Sequence, residues 1–282
     1  RTPMNAIVGM GEQLAKTSLD ENQKSYLSAI QVSANHLMVV LKDILDLSKL
    51  EAGKMTLEMI GFDLREVLSR AHKMMAPKAE EKGLGFTIRE FDPKISSIFK
   101  GDPFRINQII LNLVSNSIKF TKKGKVTMAC RLIEDHDQVQ LISLEVEDTG
   151  IGMDTNFITG DFAKYVQEDT SITRKYGGTG LGLSITKELI NLMEGEMKIT
   201  SKKGEGTQIQ IILPLEKGIE SDLPKENQEQ LSVEPLKGKR ILVVDDNDFN
   251  RLLALTILEQ YHAECYNANN CKEDIYVVKS NK

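Results

Sequence analysis

Residues 101–120 read GDPFRINQIILNLVSNSIKF, and this stretch predicts one long helix with two different faces. Asp102 is a favourable N-cap, and Pro103 suits the first helical position because its missing N–H would have no helical partner there. At about 100° per residue, four apolar side chains fall on one side of this helix. They form a core face that consists of Ile106, Ile109, Ile110 and Leu113.

A polar stripe runs along another side of the same helix. Asn112, Asn116 and Lys119 fall within about 60° of one another. Two carboxamides and an ammonium group can coordinate a hard cation through oxygen and bind an anionic oxygen. Taken alone, the stripe favours a solvated helix face, so its interpretation depends on the motifs that follow.

Two glycine-containing segments follow the predicted helix. Asp148-Thr-Gly150-Ile-Gly152 comes directly after a predicted strand, and residues 174–183 read RKYGGTGLGL before a helical pattern. A carboxylate at the strand end can accept a hydrogen bond from an exocyclic amine, and glycines let the backbone approach a flat ring. Glycines before a helix expose N–H groups to phosphate, and Arg174 and Lys175 add cations.

These glycines match neither of two common nucleotide-binding motifs. A Walker A loop requires Gly-Lys followed by Ser or Thr, which the sequence lacks. A dinucleotide-binding fold places its glycines after the first strand of a βαβ unit, which is not the context here. The sequence therefore predicts a different type of phosphate site.

Composition and patterning predict a soluble, α+β multidomain chain. The formal charge of −5 gives no support for nucleic-acid binding. Cys130, Cys265 and Cys271 have neither disulfide nor zinc-site spacing, which fits a reducing, cytoplasmic compartment. The apolar stretches are too short to span a bilayer, and the sequence pattern leads us to expect no signal peptide.

Residues 1–52 predict an antiparallel helical hairpin. The second helix carries a heptad seam whose members are Leu27, Ile30, Ala34, Leu37, Leu41, Ile44 and Ser48. A single hairpin cannot cover this seam, so self-association as a four-helix bundle is expected. Packing of the seam against the chain's own next domain is the alternative.

The rest of the chain divides into three segments. Residues 53–217 mix strands and helices, which predicts an α/β sandwich, and residues 218–236 predict a polar linker. Residues 237–282 begin a βαβ unit, in which Asp245 and Asp246 precede the helix.

The motifs together resemble those of sensor histidine kinases. Residues 112–120, 148–152 and 178–183 are similar in order and spacing to the N, G1 and G2 boxes of that family. Residues 1–5 resemble the end of its H box, and residues 237–282 resemble the start of a receiver domain. The resemblance implies a hybrid histidine kinase with a dimerisation hairpin, a Bergerat-type ATP-binding domain shared with gyrase, Hsp90 and MutL, and a partial flavodoxin-like receiver.

The resemblance also implies roles for individual residues. Asn116 would ligand the Mg²⁺ that accompanies ATP, Lys119 would contact a phosphate, and Asp148 would hold the adenine amine. In the receiver, Asp245 and Asp246 would bind a second Mg²⁺. The remaining residues implied to bind ATP are Asn112, Phe120, Gly150, Gly152, Arg174, Lys175, Gly178, Thr179, Gly180, Leu181, Gly182 and Thr207.

The implied activity is transfer of the ATP γ-phosphoryl group to a hairpin histidine, and then to a receiver aspartate in cis or a response regulator in trans. The phosphoacceptor histidine would precede Arg1, so we expect this chain to bind MgATP without phosphorylating itself. It would be the cytoplasmic, homodimeric part of a membrane-anchored parent. The alternatives are a gyrase- or chaperone-type ATPase, which the amide at Asn112 disfavours, and a non-catalytic dimeric scaffold.

Overall fold

The structure is a computed structural model that describes residues 2–153, 180–224, 236–245 and 248–268. The chain forms two compact units. The first unit contains residues 1–42 with 226–282, and the second contains residues 43–225.

The chain begins with two helices, α1 (Thr2–Ala15) and α2 (Glu21–Glu51), which confirms the predicted helical region. Asp20 and Gln23 form a capping box at the start of α2. The Asp20 carboxylate accepts from the Gln23 N–H at 2.8 Å, and the Gln23 side chain accepts from the Asp20 N–H at 3.0 Å. This reciprocal pair satisfies two amide groups that the helix itself leaves unbonded.

The heptad seam of α2 is only partly buried within one chain. Leu27 and Ala34 are buried, whereas Ile30 and Leu37 are 53% and 46% exposed. The seam therefore contains large apolar side chains that the described part of this single chain leaves accessible to solvent.

The remainder of the first unit is a short βαβ segment. Strands β8 (Arg240–Val244) and β9 (Glu264–Ala268) pair in parallel, and helix α6 (Asp248–Gln260) connects them. This arrangement agrees with the predicted βαβ start, while its assignment to a receiver domain stays a prediction.

The second unit is built on a seven-stranded sheet with the order β1-β3-β7-β5-β4-β2, in which β6 also pairs with β7. Within this sheet, all described pairings are antiparallel except the one between β2 and β4. The strands are β1 (Ile60–Phe62), β2 (Gly85–Phe91), β3 (Phe99–Gly101), β4 (Lys125–Asp135), β5 (Val139–Asp148), β6 (Glu196–Lys202) and β7 (Gly206–Lys217).

Three helices of this unit share one hydrophobic core with the sheet. They are α3 (Leu64–Glu81), α4 (Pro103–Phe120) and α5 (Leu181–Leu192). The predicted core face of α4 is buried, and its four members are between 0% and 2% exposed. This architecture confirms the predicted α/β sandwich.

Helix α4 is held at both ends by side chains. The Asp102 carboxylate caps the N-terminus by accepting from the Arg105 N–H at 2.9 Å, and it also accepts from the Glu58 N–H at 3.1 Å. At the other end, the Lys82 ammonium donates to the carbonyls of Ile118 and Lys119 at 2.8 and 2.9 Å. The helix is therefore fixed along its axis as well as across its buried face.

Two segments pack with the second unit, although the sequence predicted that one belongs to the hairpin and the other to the linker. At the end of α2, Leu47 lies in the core, and Asp46 accepts hydrogen bonds from Arg105 and Gln108 at 3.3 and 3.2 Å. The start of the expected linker is also ordered, because residues 220–222 form a 3₁₀ helix beside β1. Polar composition alone did not reveal that this segment has backbone and ion-pair partners.

None of the helices in the described ranges combines the length and apolar character that a transmembrane span needs.

Asp102 provides a test of how α4 is fixed. We expect Asp102→Ala to lower the free energy of unfolding by about 2 kcal/mol, because it removes a helix cap and leaves the Glu58 N–H without its acceptor. Urea denaturation measures the change. Asp63→Ala removes the exposed cap of α3 and serves as the comparison, with an expected loss of about 1 kcal/mol. Equal losses would contradict a special role for the α4 cap.

Candidate functional site

The polar stripe of α4 forms a hydrogen-bonded row with helix α5. The Asn112 Nδ2 group donates to the Thr186 hydroxyl at 2.7 Å. The Asn116 Nδ2 group donates to Asn112 Oδ1 at 3.5 Å. Both amides are half-buried, which differs from a solvated helix face. The side-chain carbonyl oxygen of Asn116 takes no part in these two bonds and lies at the far end of the row.

Asp148 lies at the end of β5, beside this helix. Its side chain is 7% exposed and accepts from the Gly150 N–H at 2.9 Å, and Thr207 is its direct cross-strand neighbour on β7. Burial raises the pKa of the Asp148 carboxyl, while the Gly150 N–H and the Ser117 hydroxyl oppose that rise. The site therefore contains a largely desolvated carboxylate, which is a strong acceptor for an amine donor.

The turn after β5 requires glycine for steric reasons. A Cβ atom at Gly150 would lie 2.8 Å from the Phe120 carbonyl oxygen. Gly152 has φ of +63°, and a Cβ atom there would lie 2.0 Å from the Lys202 carbonyl oxygen. These close approaches hold the turn against the C-terminal end of α4 and against the β6–β7 connection.

The N-terminus of α5 lies against the amides of α4. Gly180 occupies the N-cap position in the left-handed conformation, and no side chain caps this helix. A Cβ atom at Gly182 would lie 2.4 Å from Asn112 Oδ1, so a larger residue there would displace the Asn112 side chain. An uncapped helix N-terminus binds anions through its N–H groups and its dipole.

The C-terminal end of α4 adds a cation and an aromatic ring. The Lys119 ammonium lies 4.8 Å from the centre of the Phe120 ring. Burial, with a smaller contribution from Lys78, lowers the pKa of Lys119. An anionic ligand would stabilise the charged form of this lysine.

The structure brings most of the predicted site residues together around α4. The residues so placed are Asn112, Asn116, Lys119, Phe120, Asp148, Gly150, Gly152, Gly180, Leu181, Gly182 and Thr207. The Leu181 side chain belongs to the hydrophobic core, so only its backbone is available to a ligand.

The other predicted site residues lie elsewhere. Arg174, Lys175, Gly178, Thr179 and Asp246 fall outside the described residues. Asp245 belongs to the first unit, where its carboxylate accepts from the Asn250 side chain at 3.2 and 3.3 Å.

Sequence reasoning missed two contributors to this site. Ser117 lies against Asp148, and Thr186 bonds Asn112. Ser117 follows Asn116 directly, and its hydroxyl is buried. Thr186 is a polar residue on the otherwise apolar buried face of α5, and this break in the pattern was the available signal.

Two protein-family profiles match this chain. The first is described as "Histidine kinase-, DNA gyrase B-, and HSP90-like ATPase" and matches residues 101–217. The second is described as "His Kinase A (phospho-acceptor) domain" and matches residues 1–53. Together they match the helical hairpin and the part of the sheet domain that runs from the start of α4 to the end of β7. The chain belongs to the sensor histidine kinases.

Its relatives include kinases of Vibrio and of Dictyostelium. The autoinducer 2 sensor kinase/phosphatase LuxQ of Vibrio cholerae is 35% identical over 93% of this chain and 30% of the relative. Hybrid signal transduction histidine kinase L of Dictyostelium discoideum is 41% identical over 79% of this chain and 13% of the relative. This histidine kinase chain thus spans less than a third of the length of these relatives.

One solved structure has a similar fold. Full-length ShkA in complex with AMPPNP is similar with a TM-score of 0.66 and 26% identity, over 98% of this chain and 55% of ShkA. The family match and this similarity identify the sheet domain as an ATP-binding domain of the histidine kinase type.

Asp148 provides a test of the electrostatics of this domain. Its pKa is raised in the folded state, so the ionised carboxylate disfavours folding above that pKa. This cost disappears when the pH falls below the unfolded-state pKa, because both states are then protonated. We therefore expect Asp148→Asn to raise the free energy of unfolding of the ligand-free chain at neutral pH, with a gain that shrinks as the pH falls.

Urea denaturation of the ligand-free chain between about pH 7 and pH 4.5 measures this effect, since the ordinary carboxyl pKa is about 3.9. Asp137→Asn removes the same charge from an exposed turn and is the control. If the gain in the free energy of unfolding does not change with pH, the cost of burying the ionised Asp148 carboxylate is contradicted.

Proposed function

We propose that this chain binds ATP with Mg²⁺ at the site around α4, and that the full-length protein is a hybrid histidine kinase. Its activity would transfer the γ-phosphoryl group to a histidine imidazole of the hairpin and then to a receiver aspartate. The observation that carries this proposal is that three kinds of group lie together at α4. These groups are the amides of Asn112 and Asn116, the carboxylate of Asp148, and the N-terminus of α5.

Asp148 would recognise adenine. An ionised carboxylate only accepts hydrogen bonds, so it suits the exocyclic amine of adenine and repels the carbonyl oxygen at the same position of guanine. Gly150 and Gly152 would let the ring approach the backbone, Thr207 lies across from the carboxylate, and Phe120 would pack near the nucleoside.

The donor set near Asn116 fits Mg²⁺. Because Asn116 directs its nitrogen toward Asn112, its carbonyl oxygen is the atom available to a hard cation. No cluster of three or more His, Cys, Asp or Glu side chains occurs within the described residues, which fits a cation shared with substrate phosphates. When bound, Mg²⁺ would neutralise charge on the phosphate oxygens.

Several groups of the chain would hold the triphosphate. The α5 N-terminus, with Gly180 and Gly182, supplies N–H groups close to Asn112. Lys119 would contact a phosphate, and the family resemblance implies that Arg174, Lys175, Gly178 and Thr179 also bind ATP. Phosphoryl transfer depends mainly on positioning and charge neutralisation, and these groups provide both.

The side chain at position 112 favours transfer over hydrolysis. An amide cannot take a proton from water, so Asn112 cannot act as the general base that a gyrase- or chaperone-type ATPase needs. Both ends of this amide are also engaged, by Thr186 and by Asn116. The second alternative, a non-catalytic scaffold, does not explain why a largely desolvated carboxylate and two oriented amides share one site.

The proposed partners follow from the other parts of the chain. The exposed seam of α2 would pair with a second copy as a four-helix bundle. The βαβ segment would belong to a receiver, in which Asp245 and Asp246 bind Mg²⁺. A response regulator in trans is the alternative phosphoryl acceptor.

Isothermal titration calorimetry with MgATP tests the nucleotide site. We expect Asp148→Asn to weaken MgATP binding about 10- to 100-fold, because it puts an amide donor opposite the adenine amine in place of a charged acceptor. For the same reason, MgGTP should bind the unaltered chain more weakly than MgATP. Asp137→Asn should bind MgATP as the unaltered chain does.

Two outcomes would favour the alternatives. An unaltered chain that does not bind MgATP would support the scaffold. Steady ATP hydrolysis at about 1 s⁻¹ or faster, an ordinary enzyme turnover rate, would support the ATPase.

Light scattering tests the proposed dimer. Leu37→Glu places a charge within the exposed seam, so we expect it to yield monomers at concentrations where the unaltered chain is a dimer. Asn35→Glu lies about 200° away around the helix and should leave the mass unchanged. If Leu37→Glu has the mass of the unaltered dimer, the seam is not the interface.

A further inference from the structure

Thr186 is a polar residue in an apolar environment. It lies on the buried face of α5 with Ile185, Leu189 and Ile190, and its side chain is 2% exposed. Burying a hydroxyl group without a partner is unfavourable. The Thr186 hydroxyl accepts a hydrogen bond from the Asn112 amide at 2.7 Å, so it contacts the candidate site from the core side.

The contact places Thr186 at the start of a directed row of hydrogen bonds. The Asn112 Nδ2 group donates a hydrogen bond to the Thr186 hydroxyl oxygen, and the Asn116 Nδ2 group donates to Asn112 Oδ1. Since a carboxamide has a donor end and an acceptor end, the orientation of the first amide determines that of the second. In this order, the acceptor end of Asn116 is presented outward.

The reverse order would not support cation binding. If Asn112 turned its nitrogen toward Asn116, two donor groups would face each other. Asn116 would then have to rotate and present its NH₂ group outward, and that group cannot coordinate a cation.

We propose that Thr186 is a positioning residue for the Mg²⁺–ATP site. It anchors the amide of Asn112, whose oxygen accepts from Asn116, and in this arrangement the carbonyl oxygen of Asn116 is left toward the cation. This inference rests on the proposed function and assigns to a residue of α5 a part in the metal dependence of nucleotide binding. Thr186 itself touches neither the cation nor the nucleotide.

The test compares ATP affinity in the presence of Mg²⁺ with ATP affinity in EDTA, by isothermal titration calorimetry on the full chain. The ratio of the two affinities measures the contribution of the metal. We expect Thr186→Val, which keeps the shape and removes the hydroxyl, to lower this ratio about 3- to 10-fold. Thr186→Ser retains a hydroxyl and should restore most of the ratio.

The control is a buried hydroxyl away from the site. Thr127 is 6% exposed and lies on β4, where its neighbours Val126 and Met128 point to the opposite, core-facing side. Thr127→Val should leave the ratio unchanged. Equal loss of affinity with and without Mg²⁺ in Thr186→Val would indicate a purely structural role and overturn the inference.

A double-mutant cycle makes the assignment specific. In an Asn116→Ala background the oxygen to be oriented is absent, so Thr186→Val should no longer change the ratio. If Thr186→Val does not fold, Thr186→Ser and Thr186→Ala are compared in the same way, and an equal ratio for these two overturns the inference. An unaltered chain that binds no ATP would overturn the proposed function itself, and an unchanged ratio in Thr186→Val would overturn only the role of Thr186.

Discussion

The structure of the ATP-binding domain depends on the burial of one face of α4 in the core while the adjacent face carries the site. The core face fixes the rotation of the helix, and Asp102 and Lys82 fix its two ends. Asn112 and Asn116 are one turn apart, about 6 Å along the axis, so their spacing follows from helix geometry. The site is precise because its platform is a rigid element of the core.

In the absence of ligand, the burial of Asp148 and Lys119 lowers the stability of the folded domain. Burial raises the pKa of Asp148 and lowers the pKa of Lys119, so desolvation shifts both groups toward their neutral forms. A ligand that supplies an amine to the carboxylate and an anion to the ammonium would reverse both effects. The domain therefore gives up some stability to keep an acceptor and a cation ready for binding.

The sequence predicted the elements whose signal is local. The period of apolar residues and the Asp102-Pro103 start defined α4, and glycines marked the turn after β5. The parallel pairing of β2 with β4 was not predicted, because pairing partners far apart in sequence leave no local pattern. The last turns of α2 were assigned to the hairpin, since no local signal shows that Asp46 binds Arg105.

For the site, the motifs predicted the ligand-facing side chains. They did not predict the residues that hydrogen-bond those side chains and hold them in place. Asn112, Asn116 and Asp148 were recognised by motif, whereas Thr186 was missed because its contact spans 74 positions of the sequence. A residue that positions another side chain belongs to no sequence motif that would identify it. Such residues are found from the hydrogen-bond partner that a buried hydroxyl requires.

The amide at Asn112 has a consequence for the proposed chemistry. On the proposed function, the site holds and polarises ATP, but Asn112 supplies no base to activate a nucleophile because an amide cannot take up a proton. A carboxylate at this position would place a further negative charge beside the triphosphate and the buried Asp148. The nucleophile must then come from a separate element that is brought to the γ-phosphate. On the same proposal, the rate of transfer would depend on how that element is brought to the γ-phosphate.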